Sequence, residues 1–211
     1  MSLAVREQGK GPGTAAEERR DGCQVSKVLP LLLDQLDTKR RITVLELGRV
    51  QPETIHFFSA FPCKIHVVDL YAELLAGRFD RSSSGMTLQR QFQQLFNFEK
   101  GTVLDVCLLW DLPHYLEEKL LRAFSSALWP WLQPASLAHA FGVHSAATML
   151  LNREYGILDS NTISVRHRAG EQIKNSPHPQ SFMQEWLTCF ATTSGVLLPD
   201  GKVETLMRST V

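Results

Sequence analysis

Residues 42 to 71, ITVLELGRVQPETIHFFSAFPCKIHVVDLY, constrain the fold more than any other stretch of the chain. Ile42 to Leu47 is apolar and β-branched enough to lie inside a parallel sheet, and Gly48 follows where the chain must turn sharply. Pro52 suits the first position of a helix, because its missing N–H is not needed there and its fixed φ fits the turn. Ile55, Phe57, Phe58 and Phe61 then give that helix an apolar side to lay on the sheet. A second apolar strand, Ile65 to Val68, stops at Asp69. Strand, turn, helix and strand in this order make a parallel unit with its acids at the strand ends.

The alternation continues downstream. A helix is expected over Val28 to Leu36 with Pro30 in its first turn, and another from Asp69 through Leu75. Gly77 to Gly85 reads as a loop, and Met86 to Phe98 as a helix with Leu88, Phe92, Leu95 and Phe96 on one face. Asp105 to Trp110 is the next strand, closing at Asp111; a helix is expected from His114 to Leu128 and a strand over Leu137 to Val143. Strands alternating with helices predict a mostly parallel, doubly wound sheet covered on both faces. Toward the C-terminus, Asn161 to Arg166 alternates as a strand and Gln180 to Phe190 as a helix. Ser194 to Leu198 and Val203 to Met207 flank Pro199, Asp200 and Gly201, which signals an antiparallel hairpin. With 211 residues and 44% hydrophobic content, one α/β domain over residues 24–211 is expected, behind a flexible tail over residues 1–23 rich in Gly, Ala and mixed charge.

Glu46, Gly48 and Asp69 resemble the cofactor motif of the class I S-adenosylmethionine-dependent methyltransferases. In that family an acid precedes x-Gly-x-Gly-x-Gly between the first strand and helix, and a second acid closes the next strand. Leu104 to Leu116 is similar to the family's fourth-strand segment, which lines the substrate side of the pocket. The resemblance implies a Rossmann-like fold ending in an antiparallel hairpin, and S-adenosylmethionine as cofactor. It implies further that Glu46 and Gly48 receive the methionine end, that Asp69 accepts the ribose hydroxyls, and that Asp111 adds to the same pocket. The chain departs from the motif where the second and third glycines belong, carrying Val50 and Pro52 there and the cation Arg49 between Gly48 and Val50.

Asp111, His114 and Tyr115 are the candidate catalytic residues, since a carboxylate beside an imidazole at a pocket mouth can take a proton from an attacking N or O nucleophile. The plainer reading has Asp111 capping a helix, His114 solvated and Tyr115 packing. Glu46 and Asp69 have a plainer reading too, as capping or salt-bridging acids in an inherited pocket. Cys23, Cys63, Cys107 and Cys189 form no C-x-x-C pair, and the histidines His56, His66, His139, His144, His167 and His178 show no ligand spacing, so neither a metal centre nor a disulfide framework is expected. Arg166, His167, Arg168 and Lys174 read as a solvated loop.

The 22 basic and 22 acidic residues balance, which argues against a nucleic-acid partner or an anionic membrane. No apolar run has the length of a signal core or a span, so a soluble, cytoplasmic protein is expected. Three functions follow in order. The first is methyl transfer from S-adenosylmethionine to a small molecule. The second is a non-catalytic relative that keeps the fold as an interaction module. The third is a nicotinamide-dependent oxidoreductase, based on Asp69 lying about twenty residues past a glycine turn. No acceptor signature and no sign of oligomeric state is present.

Overall fold

The computed structural model describes residues 21–211. Its main sheet has six strands. Four carry the parallel unit, β2 (Ile42–Glu46), β3 (Cys63–Val67), β4 (Val106–Trp110) and β5 (Leu137–Val143), and two form the terminal hairpin, β8 (Phe190–Leu197) and β9 (Lys202–Ser209). The order across the sheet is β3-β2-β4-β5-β9-β8, with β9 alone running against the others. The buried runs of β4 and β5 show why these segments read as uninterrupted apolar stretches: both faces are covered.

Each face has its own core. On one, Leu45, Cys107, Leu109 and Ala138 pack under α3 (Leu70–Leu75), α4 (Gly85–Leu95), α5 (Glu118–Leu128) and α6 (Gln180–Trp186). On the other, Val44, Leu108 and Phe141 pack under α1 (Leu29–Leu33), α2 (Pro52–Phe58) and a second, antiparallel sheet. That small sheet has the order β1-β7-β6, with β1 (Gly22–Val25), β6 (Arg153–Asp159) and β7 (Thr162–His167). The result is the doubly wound, mostly parallel sheet with a C-terminal antiparallel hairpin that the element order predicts.

Several expectations are corrected. The strand β1 begins at Gly22, so residues 22 and 23 belong to the fold and not to a tail, and Asp21 accepts from the His167 N–H at 2.9 Å; residues 1–20 lie outside the described residues. The strand β6 was not foreseen at all, although Asp159-Ser160-Asn161 between two alternating segments is a turn signal. The expected helix from His114 to Leu128 is broken: Leu112–Tyr115 forms a 3₁₀ turn, Leu116 is extended and α5 starts at Glu118. The expected helix to Phe190 stops at Trp186, because Phe190 joins β8. Ile55 faces solvent, and Thr54 takes the buried place beside Phe58. All four cysteines are free thiols, with Cys107 and Cys189 buried.

Candidate functional site

The order of the strands reverses about β2, with β3 on one side and β4 on the other, and open α/β sheets hold ligands at the carboxyl ends of strands beside such a switch. Glu46, Gly48 and Asp111 line a crevice there, and Asp69 lies near enough to Glu46 to repel its charge. The family's glycine turn would leave a cradle for a ligand here. The chain fills it instead.

The filling begins with Trp110. Its backbone is left-handed, φ 51°, the only such residue other than glycine among those described. A bulky residue held there costs about 1–3 kcal/mol, so its surroundings must determine it strongly. They do: the register of β4 against β5 shifts between Leu108 and Trp110, and the indole turns into the crevice, where its Nε1 donates to Glu46 Oε1 at 2.5 Å. The ring stacks on Tyr155, centroids 5.5 Å apart and planes 17° apart. A β-carbon placed on Gly48 would meet Glu46 Oε1 at 3.6 Å and Trp110 Cδ1 at 3.9 Å, so the room beside the glycine is held by the indole.

The hairpin of β6 and β7 closes the crevice from the other side. Gly156 lies so near the start of α2 that a β-carbon would stand 2.8 Å from Gln51 Cβ and 2.8 Å from Ser164 Oγ. Gln51 donates to Glu154 at 2.9 Å, the Ile157 N–H donates to Thr54 Oγ1 at 3.0 Å, and Glu53 pairs with Arg166 at 3.0 Å while accepting from Ser164. The hairpin thus contacts the helix start that a cofactor would approach. Glu46, Gly48, Trp110, Asp111, Tyr155 and Arg168 leave about 10 Å³ between them. That is about one water molecule.

The electrostatics are those of a dry interior. Burial pushes the Glu46 carboxyl well above the usual carboxylate range, opposed by the Trp110 hydrogen bond, and its Oε2 has no partner. Burial likewise pushes Asp111 up to about 6 against the attraction of Arg168 and Lys202; Tyr155 donates its hydroxyl to Asp111 at 3.2 Å. Arg168 lies over the Tyr71 ring at 3.8 Å and donates to the Arg153 carbonyl at 2.8 Å. Its 9% exposure corrects the expectation of a solvated loop there.

The other candidates are placed as follows. Asp69 is half-buried and caps α3, its Oδ1 accepting from the Ala72 N–H at 3.1 Å. His114 is fully buried rather than solvated. Its Nδ1 accepts from the His178 N–H at 3.0 Å, which leaves Nε2 as the protonated nitrogen facing the Phe141 carbonyl at 3.0 Å. Burial, with His178 nearby, lowers it to about 3, so the ring is neutral with both nitrogens engaged. Tyr115 donates to Asn152 at 3.3 Å, Asn152 donates to Tyr71 at 3.0 Å, and burial raises the Tyr115 phenol. Asp111 and Tyr115 therefore reach separate networks, and His114 faces a third set of partners.

Among the described residues no group of three His, Cys, Asp or Glu side chains could hold a metal ion, and no helix is long and apolar enough to cross a membrane. Tyr155, Glu154 and Arg168 were missed as site residues, because only the pairing of β6 with β7 brings them to the crevice.

No family model matches the sequence, and no curated protein matches it. Solved structures do show likeness. An S-adenosylmethionine-dependent methyltransferase from Clostridium acetobutylicum is 14% identical over 86% of this chain and 89% of that one, with a TM-score of 0.49. The glycopeptide N-methyltransferase MtfA complexed with S-adenosylmethionine is 12% identical over 87% and 93%, at 0.48. The 1,6-didemethyltoxoflavin-N1-methyltransferase of Burkholderia thailandensis is 12% identical over 88% and 78%, at 0.47. The fold itself stands on the strand order and register above.

The residues present can be tested against S-adenosylmethionine. Ligand pockets for a molecule of this size need roughly 300–1,000 Å³. The crevice has about 10 Å³ and its wall is a stack of buried aromatic rings. As folded, it does not fit the cofactor, nor the larger nicotinamide dinucleotide.

Proposed function

We propose that this chain is a methyltransferase-fold protein that acts as a non-catalytic interaction module, its cofactor crevice filled by its own Trp110 and hairpin. The observation that supports the reading is the left-handed Trp110, whose indole takes the space beside Gly48 and whose N–H occupies Glu46. Truncating a buried tryptophan costs about 3–5 kcal/mol, more than the roughly 1–3 kcal/mol of strain in its backbone, so the packing of the indole is enough to hold that strain. Calorimetric titration with S-adenosylmethionine and S-adenosylhomocysteine tests it. Well-folded protein should give no saturable heat with either; a one-to-one complex in the micromolar range would overturn the reading.

One observation favours a second reading, methyl transfer from S-adenosylmethionine to a small molecule. Asp111, pushed up to about 6, is poised as a general base near neutral pH. In this reading Glu46, Gly48, Asp69 and Asp111 would hold the cofactor in a rearranged crevice, Asp111 would take the acceptor's proton, and His114 and Tyr115 would shape the acceptor side. Cofactor affinity that Asp69→Ala weakens greatly would support it, and affinity unchanged in that variant would sink it.

A further inference from the structure

The small sheet ends in an open edge. In the order β1-β7-β6, the strand β6 lies against the start of α2, whereas β1 pairs only with β7. The Ser26 N–H donates to the Asn161 carbonyl, which fixes the alternation along the strand: Gln24 and Gly22 also bond toward β7, and the N–H and C=O groups of Cys23 and Val25 face outward. Among the described residues none bonds to those groups, and Val25 is 68% exposed. The strand carries neither the charge nor the proline that usually guards an edge, so it is a template for another strand.

A cavity lies beneath this edge, on the far side of Tyr155 from the crevice. It measures about 540 Å³ and is walled by Val25, Met149, Leu151, Tyr155, Val165 and Leu198. Its origin is a missing side chain. Tyr155, Val165 and Gly22 stand in one row across the sheet, so they share a face, and the row ends on a glycine whose β-carbon would meet nothing within 4 Å. The next place in that row belongs to a residue of an added strand, whose side chain would enter the cavity against Val165 and Tyr155.

The charges in the wall are already answered. Lys202 pairs with Asp200 at 3.1 Å and attracts Asp111, and Arg153 has a partner too. The cavity therefore calls for an uncharged side chain.

We propose that the β1 edge binds an extended peptide segment of another protein, which adds a strand to the small sheet and sets an apolar side chain opposite Gly22. A second copy of this chain does not meet that need. Two β1 strands paired antiparallel about Cys23 set the polar Gln24 opposite Gly22, and paired about Gln24 they set the buried Ser26 there. For its biological role this peptide site rests on the interaction-module reading; the binding itself does not, since Tyr155 stands between cavity and crevice. Cofactor titration and peptide titration therefore fail separately.

The probe is a short dye-labelled peptide of alternating threonine and leucine, blocked at both ends and titrated by fluorescence polarisation into the full chain. It should saturate with one-to-one stoichiometry, and the same peptide with glutamate at the leucine positions should not bind. Gly22→Leu, at a glycine without a positive φ, fills the cavity from within and should weaken binding about tenfold or more. Cys23→Pro removes an outward N–H that β7 does not use and should weaken it about tenfold, the worth of one hydrogen bond. Absence of saturable binding, equal binding of the glutamate peptide, or affinity undiminished in either variant would overturn the proposal. So would a dimer of the full chain that Cys23→Pro dissolves, since the edge would then belong to a second copy. If circular dichroism shows Cys23→Pro unfolded, Gly22→Leu decides.

Discussion

The crevice above β2 and β4 and the cavity behind Tyr155 share a wall and differ in everything else. The crevice gathers Glu46 and Asp111, with Asp69 capping the helix beside it, and holds about 10 Å³. The cavity has no motif, gathers Arg153 and Lys202, and holds about 540 Å³. Acids at strand ends record where a ligand belongs in a fold of this kind, whereas free volume records where this sequence leaves room for one. The two have parted here, because a hairpin between β5 and α6 packs onto the start of α2 and a single residue at the end of β4 adopts a left-handed backbone.

The largest effect is expected from emptying the crevice. Trp110→Ala should destabilise the protein by about 3–5 kcal/mol in urea unfolding. Trp110→Gly should be the more stable of the two by about 1 kcal/mol, since glycine takes a positive φ freely. If alanine proves the better replacement, the backbone strain assigned to Trp110 is wrong.

Asp111 supplies a pH signature that a wet crevice would lack. Its carboxyl moves from an ordinary 3.8 to about 6 in the folded chain. Between these values the folded protein binds more proton than the unfolded one, so this group's contribution to stability is full below about pH 4 and is lost as pH rises through about 6, by about 3 kcal/mol. His114, lowered to about 3, acts oppositely, losing stability as pH falls below its ordinary 6.5. Asp111→Asn leaves the His114 effect intact, so the variant's advantage over the parent should grow between pH 4 and 6 and level off above. A difference flat across that window would mean that Asp111 is solvated.

The hairpin is tested at Gly156. A β-carbon there would press on Gln51 and Ser164 at 2.8 Å, and Gly156→Ala should cost about 1–3 kcal/mol. The smallest effect is expected at Asp69. As a helix cap, Asp69→Ala should cost about 1 kcal/mol, and Asp69→Asn should recover most of it because asparagine caps as well as aspartate. A loss in the asparagine variant equal to that in alanine would show that the charge matters beyond capping.

Much of the fold was legible because β2, β4 and β5 are mostly apolar runs, β3 ends in Val67 and Val68 before Asp69, and helices with clear apolar faces separate them. The strand β1 was not, since Gly22–Val25 is mostly exposed and is held by backbone pairing to β7. Gly156 and Arg153 interrupt the pattern of β6; the glycine is required by the approach of α2 and the arginine faces the cavity, facts of tertiary packing that periodicity does not carry. The acids of the crevice were legible from their places at strand ends. Its closure was not, because nothing in the sequence around Trp110 announces a positive φ, and because Arg168 reads as one more surface cation until β7 places it over Tyr71.

The Trp110 indole N–H tests the central claim most directly. Hydrogen exchange followed by NMR on the ¹⁵N-labelled protein, with and without millimolar S-adenosylmethionine, reports whether that proton stays on Glu46. The closed crevice predicts exchange as slow as that of the β4 and β5 amides and a resonance that the cofactor does not move. Fast exchange, or a shift of that resonance on adding S-adenosylmethionine, would mean that the crevice opens and takes its cofactor.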